Sequence, residues 1–428
     1  MNTAWTPNRY RWTLQDTPAA AETIASAGKK YSRLAATILA LRDVATADEA
    51  DAFLTPTLNG LHDPAALYGC EQAGVILADA IRAEKSIVIY GDYDVDGITS
   101  VSILVSCIEM LGGSARYYIP HRLDEGYGLN AEAVDDLIGQ GAEMIVTVDC
   151  GVTAVETLAS VSGRGCEFII TDHHTPSDTL PDVAAIVHPA LGDAPVNPNL
   201  CGAGVAFKLA WQTARAMCGN TRVDDEMRTF LLEATTLAAL GTIADVVPLT
   251  GENRLLASFG LRGLANCQRP GVAALVKLAR LEGKAITARD VAFSIAPRIN
   301  AAGRMGHADE AVDLLATTDP AKAAAMASAI DKQNLRRREV EKEITAEAIA
   351  MVEERGLNQD ENRSIVLASE HWHGGVIGIV ASRLVDRYHR PTVLIGTNSS
   401  GIGQGSGRSV RGFNLVDALR ACDENLLS

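Results

Sequence analysis

Short apolar runs alternate along this chain with stretches whose apolar positions recur at helical spacing. Residues 87–90, 116–119, 144–148, 168–171 and 185–187 have the length and β-branched or aromatic content of buried parallel strands. Between them, 98–111, 131–139 and 154–161 read as helices. Such alternation predicts an α/β fold built on a doubly wound parallel sheet. Ahead of the sheet, 31–42, 47–53 and 71–83 carry helical patterns, broken by the turn-rich TPTLNGLHDP. Residues 200–245 read as mostly helical, and 321–355 as one long helix with a solvated, charged face that ends at Gly356. A second, smaller α/β unit follows, with strand 364–368, loop 371–375, helix 376–388 and strand 392–395. Its last feature is a glycine-rich loop over 401–412 (GIGQGSGRSVRG). The organisation expected is an N-terminal helical segment (1–80), a main α/β domain with a helical insertion (81–320), a connector helix (321–356) and a smaller unit (357–428).

What the strands lead into changes the picture from fold to chemistry. The first runs into GDYDVDG, where Asp92, Asp94 and Asp96 alternate. In extended backbone, residues two apart project to one side, so three carboxylates converge at a strand's carboxyl end, where open α/β sheets bind ligands. Carboxylates held that close repel unless a cation lies between them. An EF-hand is excluded, because its twelfth loop position would be Ile103 rather than Glu. The third strand ends in Asp149-Cys150-Gly151 and the fourth in Asp172-His173-His174. Each has a bland reading alone: Asp149 as a helix cap, the histidine pair as structural. Together they point to a divalent-metal centre. Asp245, between apolar neighbours in GTIADVVPL, is either buried and paired or a further ligand.

Composition narrows the setting. The chain of 428 residues is 47% apolar and 5% aromatic, as a helix-rich α/β protein would be. No apolar run approaches the roughly 18 residues that span a bilayer, and the N-terminus lacks a signal-peptide core. Eight cysteines without a C-x-x-C suggest reduced thiols, hence a cytoplasmic protein with no membrane partner. The formal charge of −15 argues against broad electrostatic binding of nucleic acid. A polyanion would need a local basic path. Two segments offer one: APRINAAGRMG (296–306) sets Arg298 and Arg304 among small residues, and the glycine-rich loop closes with Arg408, Ser409 and Arg411. Backbone amides beside arginine suit a phosphate, but the loop lacks the Lys-Ser/Thr ending of a P-loop.

GDYDVDG, TVDCG, TDHH and GTIADVVPL, in that order, resemble the four motifs of the DHH phosphoesterase superfamily. FLTPTLNGLHDP, IPHRLDEGYGL, PRINAAGRMG, HWHGGVIGIVASRL and GSGRSVRGFNL narrow the resemblance to its RecJ family, from about residue 47 to the C-terminus. The resemblance implies a single-stranded-DNA 5′→3′ exonuclease that releases 5′-mononucleotides in DNA repair and recombination. It implies two Mn²⁺ ions, with Mg²⁺ as substitute, held by Asp92, Asp94, Asp96, Asp149, His173 and Asp245; mixed carboxylate–imidazole donors suit Mn²⁺. Asp94, Asp149, His173 and His174 would form the catalytic group, His174 on the scissile phosphate. Arg122, Arg298 or Arg304, and Arg408 would hold the strand, with Ser406 at the 5′ phosphate. Water would attack phosphorus in line, between ions roughly 3.5–4 Å apart. Partners implied are single-stranded DNA, a single-strand-binding protein or a helicase. Relatives continue past GFNL-x-DAL, so the expectation here is a partial DHH-associated domain with the OB fold absent. Competing expectations are a DHH phosphodiesterase on short oligonucleotides or cyclic dinucleotides, and a DNA-end-binding module without turnover. Intact candidate ligands in all four motifs argue against the last.

Overall fold

Five short parallel strands carry the main domain: β1 (Ile87–Tyr90), β2 (Ala115–Tyr118), β3 (Met144–Val148), β4 (Glu167–Thr171) and β5 (Ala185–Val187). The computed structural model describes residues 16–27, 30–121, 125–126, 128–397 and 401–426; Arg122 lies outside them. The strand order is β2-β1-β3-β4-β5, all parallel. After β1 the chain moves outward to β2, then crosses back to place β3 on the other flank of β1. The order therefore reverses between β1 and β3, the crevice where such sheets take ligands. Both strands are buried along their whole length, which is why they read as almost wholly apolar runs.

The Val95–Met110, Gly202–Cys218 and Asp225–Ala244 helices pack on one another beside the sheet. Ala203, Ala206, Ala210, Ala234 and Ala238 are buried there, small side chains that allow close helix approach. The chain divides into two compact units, one of residues up to Leu61 with Thr250–Leu255, the other His62–Leu249 with Leu256 onward. In the first, the Ala20–Ser26, Arg33–Ala40 and Ala47–Leu54 helices surround Ile24, Ala36, Leu39 and Ala50. A capping box between Thr46 and Glu49 starts its third helix, and the Arg254 guanidinium lies 3.7 Å from the Phe53 ring centroid.

In the second unit the smaller sheet contains β6 (Ile365–Ser369), β7 (Thr392–Thr397) and β8 (Gly403–Arg408) in that order, with β8 antiparallel to β7. The 401–412 segment is thus not a loop throughout, as its glycines suggested. Its centre is an edge strand, held by the ladder to β7 and packed by the Gly374–Tyr388 helix. The 296–306 segment is likewise a helix, Ala296–Met305, preceded by a π-turn over Val291–Ile295.

The connector is one helix, Pro320–Glu354, started by Pro320 and by Asp319, whose carboxylate accepts from the amides of Ala321 and Lys322. Its first half buries Ala323, Ala327 and Ile330. Its second half feeds Ile344, Ala348 and Val352 into the core of the smaller sheet, with Trp372, Val376 and Leu384. Most of the connector's charges are solvated, as the pattern indicates, with one buried exception. Arg337 and Glu341 are buried and paired at 2.8 Å, and Arg383 of the Gly374–Tyr388 helix joins Glu341 from the other side.

Candidate metal centre

Three turns at the carboxyl ends of β1, β3 and β4 deliver the acidic and imidazole groups. After β1, Asp94 sits in extended backbone and caps the Val95–Met110 helix, its carboxylate accepting from the amides of Asp96 (2.9 Å) and Gly97 (3.2 Å). Asp96 turns inward and is buried; its two oxygens accept from the amides of Gly202 (2.6 Å) and Ala203 (2.8 Å), at the start of the Gly202–Cys218 helix. That helix's positive end favours the carboxylate. Gly241 closes the same corner: a Cβ there would lie 2.3 Å from Asp96 Oδ1 and 2.6 Å from Ala203 Cβ.

Asp149 follows β3 with φ of +61°, a left-handed conformation that Asp tolerates better than most residues. It does not cap the Val155–Ser160 helix; its carboxylate is buried and faces His173. His173 Nε2 lies 3.0 Å from Asp149 Oδ1, 3.6 Å from Asp96 Oδ2 and 3.8 Å from Asp245 Oδ2. Asp245 closes the C-terminus of the Asp225–Ala244 helix, half-buried.

Protonation decides what these distances mean. Burial, then the neighbouring His174, drives His173 down to about 4, so its imidazole is neutral near pH 7. Burial, then Asp96, Asp94 and Asp92, drives Asp149 well above the ordinary carboxylate value. Asp96 rises to about 7 through burial and then Asp94 and Asp245, and Asp245 to about 6 through burial and then Asp94. Asp149 Oδ1 and His173 Nε2 are buried without a hydrogen-bond partner although they face each other. Two acceptors so placed fit a cation, which satisfies both and reverses the cost of crowding carboxylates.

Three overlapping sets bring one donor atom per residue within 4.8 Å: Asp92, Asp94 and Asp149; Asp149, His173 and His174; Asp96, His173 and Asp245. Asp149 and His173 each belong to two sets, the sharing expected of adjoining cation positions. The residues fit the implied metals.

Several supporting groups were not singled out in the sequence. Asp172 accepts from the amides of Val152, His173 and His174 and from His174 Nδ1 at 2.8 Å. Burial pushes Asp172 upward, but these hydrogen bonds outweigh it and hold the carboxyl below its usual value. The same bond raises His174 and fixes which nitrogen carries its proton. His188 Nδ1 accepts from the Ala190 amide, so its Nε2 donates to the His174 carbonyl at 2.8 Å. Asp172 was legible as part of the TDHH turn; the Gly202 and Ala203 amides and His188 carry no such signal.

The expected substrate residues fall into two groups. Arg304 Nη1 donates to the Gly375 carbonyl at 3.0 Å, and a Cβ on Gly378 would meet Ser406 Oγ at 2.7 Å and Arg408 Nη2 at 3.2 Å. Arg304, Ser406 and Arg408 therefore gather at the first turns of the Gly374–Tyr388 helix, whose amides start from the His373 cap. Arg298 stands apart, bound to Asp331 of the connector at 2.8 Å and to the Ser294 carbonyl.

Residues 86–242 match the N-terminal domain of the DHH family and 361–426 the DHHA1 domain. The single-stranded-DNA-specific exonuclease RecJ of Bacillus subtilis is 42% identical over 395 residues, 92% of this chain. A crystal structure of exonuclease RecJ bound to manganese is 38% identical, with a TM-score of 0.73, covering 87% of this chain and 89% of that one. This chain belongs to the RecJ family. Thermus thermophilus RecJ in complex with Mn²⁺ superposes over 99% of it with a TM-score of 0.82 at 34% identity, covering 59% of that protein. The chain spans about half (48%) of the length of the Bacillus RecJ. Among the described residues, no helix is long and apolar enough to cross a membrane.

Proposed function

We propose that this chain is the catalytic core of a metal-dependent exonuclease that degrades single-stranded DNA from its 5′ end and releases 5′-mononucleotides, in DNA repair and recombination. The observation that carries the reading is the pair of buried donor atoms for a metal that no hydrogen bond satisfies, Asp149 Oδ1 and His173 Nε2, at 3.0 Å. Asp92, Asp94, Asp96, Asp149, His173 and Asp245 would hold two divalent ions, Mn²⁺ or Mg²⁺. Bound there, such ions neutralise phosphate charge and lower the pKa of water for attack on phosphorus.

The chain's own groups supply the rest. His174 is half-exposed and keeps its Nδ1 proton on Asp172, which holds the ring in one orientation; its Nε2 would meet the scissile phosphate. Arg304, Ser406 and Arg408 at the start of the Gly374–Tyr388 helix would receive the terminal 5′ phosphate through charge and backbone amides. Arg122 would join them from the segment after β2, and Arg298 would hold the arginine-bearing helix to the connector through Asp331. In this reading 81–320 is the DHH domain, 321–356 the connector and 357–428 part of the DHH-associated domain. A cytoplasmic site of action, with strands handed over by a single-strand-binding protein or a helicase, goes with that role.

The test uses single strands labelled at the 5′ end, with Mn²⁺. The label should appear first in a mononucleotide, and 5′-phosphorylated strands should be cut faster than 5′-hydroxyl strands. Arg408→Ala should erase that preference. Label retained to the last product would reverse the polarity, and turnover of cyclic dinucleotides but not of strands would replace the reading with a small-substrate phosphodiesterase.

A further inference from the structure

The Val95–Met110 helix begins inside the metal-binding turn, so the amides of its first turn must find acceptors outside the helix. Asp94 takes two of them, from Asp96 and Gly97. The amide of Val95, a buried residue, goes elsewhere: it donates to Asn300 Oδ1 at 3.1 Å, from a helix two hundred residues later in the chain. One turn along that helix, Gly303 packs so tightly that a Cβ would stand 2.6 Å from the Tyr93 carbonyl oxygen. Asn300 and Gly303 thus grip Tyr93 and Val95, the two residues that alternate with the carboxylates of D-Y-D-V-D. Holding the residues on either side of Asp94 fixes the direction in which its carboxylate leaves the turn. Asp94, at φ −95° and ψ −179°, is the last extended residue before the helix. The gripping helix also carries Arg298 and Arg304.

We propose that Asn300 is a positioning residue for the metal centre: its carboxamide oxygen holds the D-x-D-x-D turn in its ligating shape. The cation affinity of Asp92 and Asp94 then depends on a residue of the arginine-bearing helix. Distortion of that helix, by a bound strand or by substitution, reaches the metal through one hydrogen bond. The inference rests on the metal-dependent reading above.

The experiment is a thermal-shift titration with Mn²⁺ on wild type, Asn300→Leu, Asn300→Ala and Asn300→Asp. Leucine keeps the volume and removes the acceptor; aspartate keeps the acceptor. Wild type should show a saturable rise in Tm. N300L and N300A should need about five to ten times more Mn²⁺ for half the rise, with a metal-free Tm near that of wild type. N300D should need no more Mn²⁺ than wild type. A Mn²⁺ midpoint in N300L equal to wild type overturns the inference and leaves the metal-dependent reading standing. So does a midpoint in N300D as weak as in N300L. A metal-free Tm more than about 10 °C lower in both N300L and N300A overturns it too, because the role would then be structural. No Mn²⁺ response in wild type removes both readings.

Discussion

His173 and Asp149 show how burial, with crowding second, can prepare a group for a cation. Taken out of water, the imidazole loses its proton and the carboxyl tends to keep one, so the metal-free centre stores protons on Asp149, Asp96 and Asp245. Linkage fixes the sign. An unfolded aspartate releases its proton near 3.9, while in the folded chain Asp245 holds on to about 6 and Asp96 to about 7. In that interval the protons held by Asp149, Asp96 and Asp245 outnumber the one that His173 gives up on folding, so the native centre binds more protons and metal-free stability falls as pH rises through it. A cation displaces those protons, so its stabilising effect grows over the same interval. Metal-free Tm should therefore drop between pH 5 and pH 8, while the Mn²⁺-induced rise in Tm increases. Asp149→Asn should flatten the metal-free profile and remove most of the Mn²⁺ rise. A metal-free Tm that does not change over this range would contradict the stored-proton account.

At the scale of elements, the central strands were legible because β1 and β3 are buried on both faces and consist almost wholly of apolar residues. Their carboxyl-end motifs were legible because carboxylates seldom crowd a turn without a purpose. β8 was hidden by its glycines, which weaken any strand signal; here the partner strand and the packing helix supply what propensity does not. The Ala296–Met305 helix was hidden by proline and glycine, although Pro297 lies in its first turn, where no amide is needed. Backbone donors such as Gly202 and Ala203 have no side-chain signature at all, so Asp96's anchoring could be seen only once the helices were placed. Gly241 makes that anchoring testable. Gly241→Ala forces a methyl against Asp96 and Ala203, and overpacking of this kind costs about 1–3 kcal/mol. The variant should melt several degrees lower and bind Mn²⁺ more weakly, as read by differential scanning calorimetry with and without the ion. Unchanged melting would mean that the Gly202–Cys218 and Asp225–Ala244 helices can separate without cost.

At the scale of the whole molecule, the second unit's two sheets are joined by the connector, and the joint is polar at one point. Glu341 lies between Arg337 on its own helix and Arg383 on the Gly374–Tyr388 helix. A buried pair adds little net stability against an apolar substitute, but removing one partner strands a charge at a cost of about 3–5 kcal/mol. Glu341→Ala should therefore lower stability by that order in urea unfolding. Adding Arg337→Met should recover much of the loss, because the stranded guanidinium disappears. Equal destabilisation in single and double variants would show that the contact with Arg383 carries the effect instead.

The candidate ligands come from the ends of β1, β3 and β4 and the far end of the Asp225–Ala244 helix, and they are all brought together only once the parallel sheet has closed around β1 and β3. Non-local pairing of this kind is formed late on the way to the native state. The cation site is then a product of folding rather than a guide to it. Contacts made after the transition state alter the rate of unfolding and leave the rate of folding nearly alone. Mn²⁺ should therefore slow unfolding in denaturant in proportion to its occupancy while refolding from dilution proceeds at the metal-free rate. A faster refolding phase in Mn²⁺ would mean that the carboxylates gather before the sheet does. On the expected outcome, the ion acts as a kinetic brake on the finished molecule, and chelation shortens the lifetime of the native state without impairing its assembly.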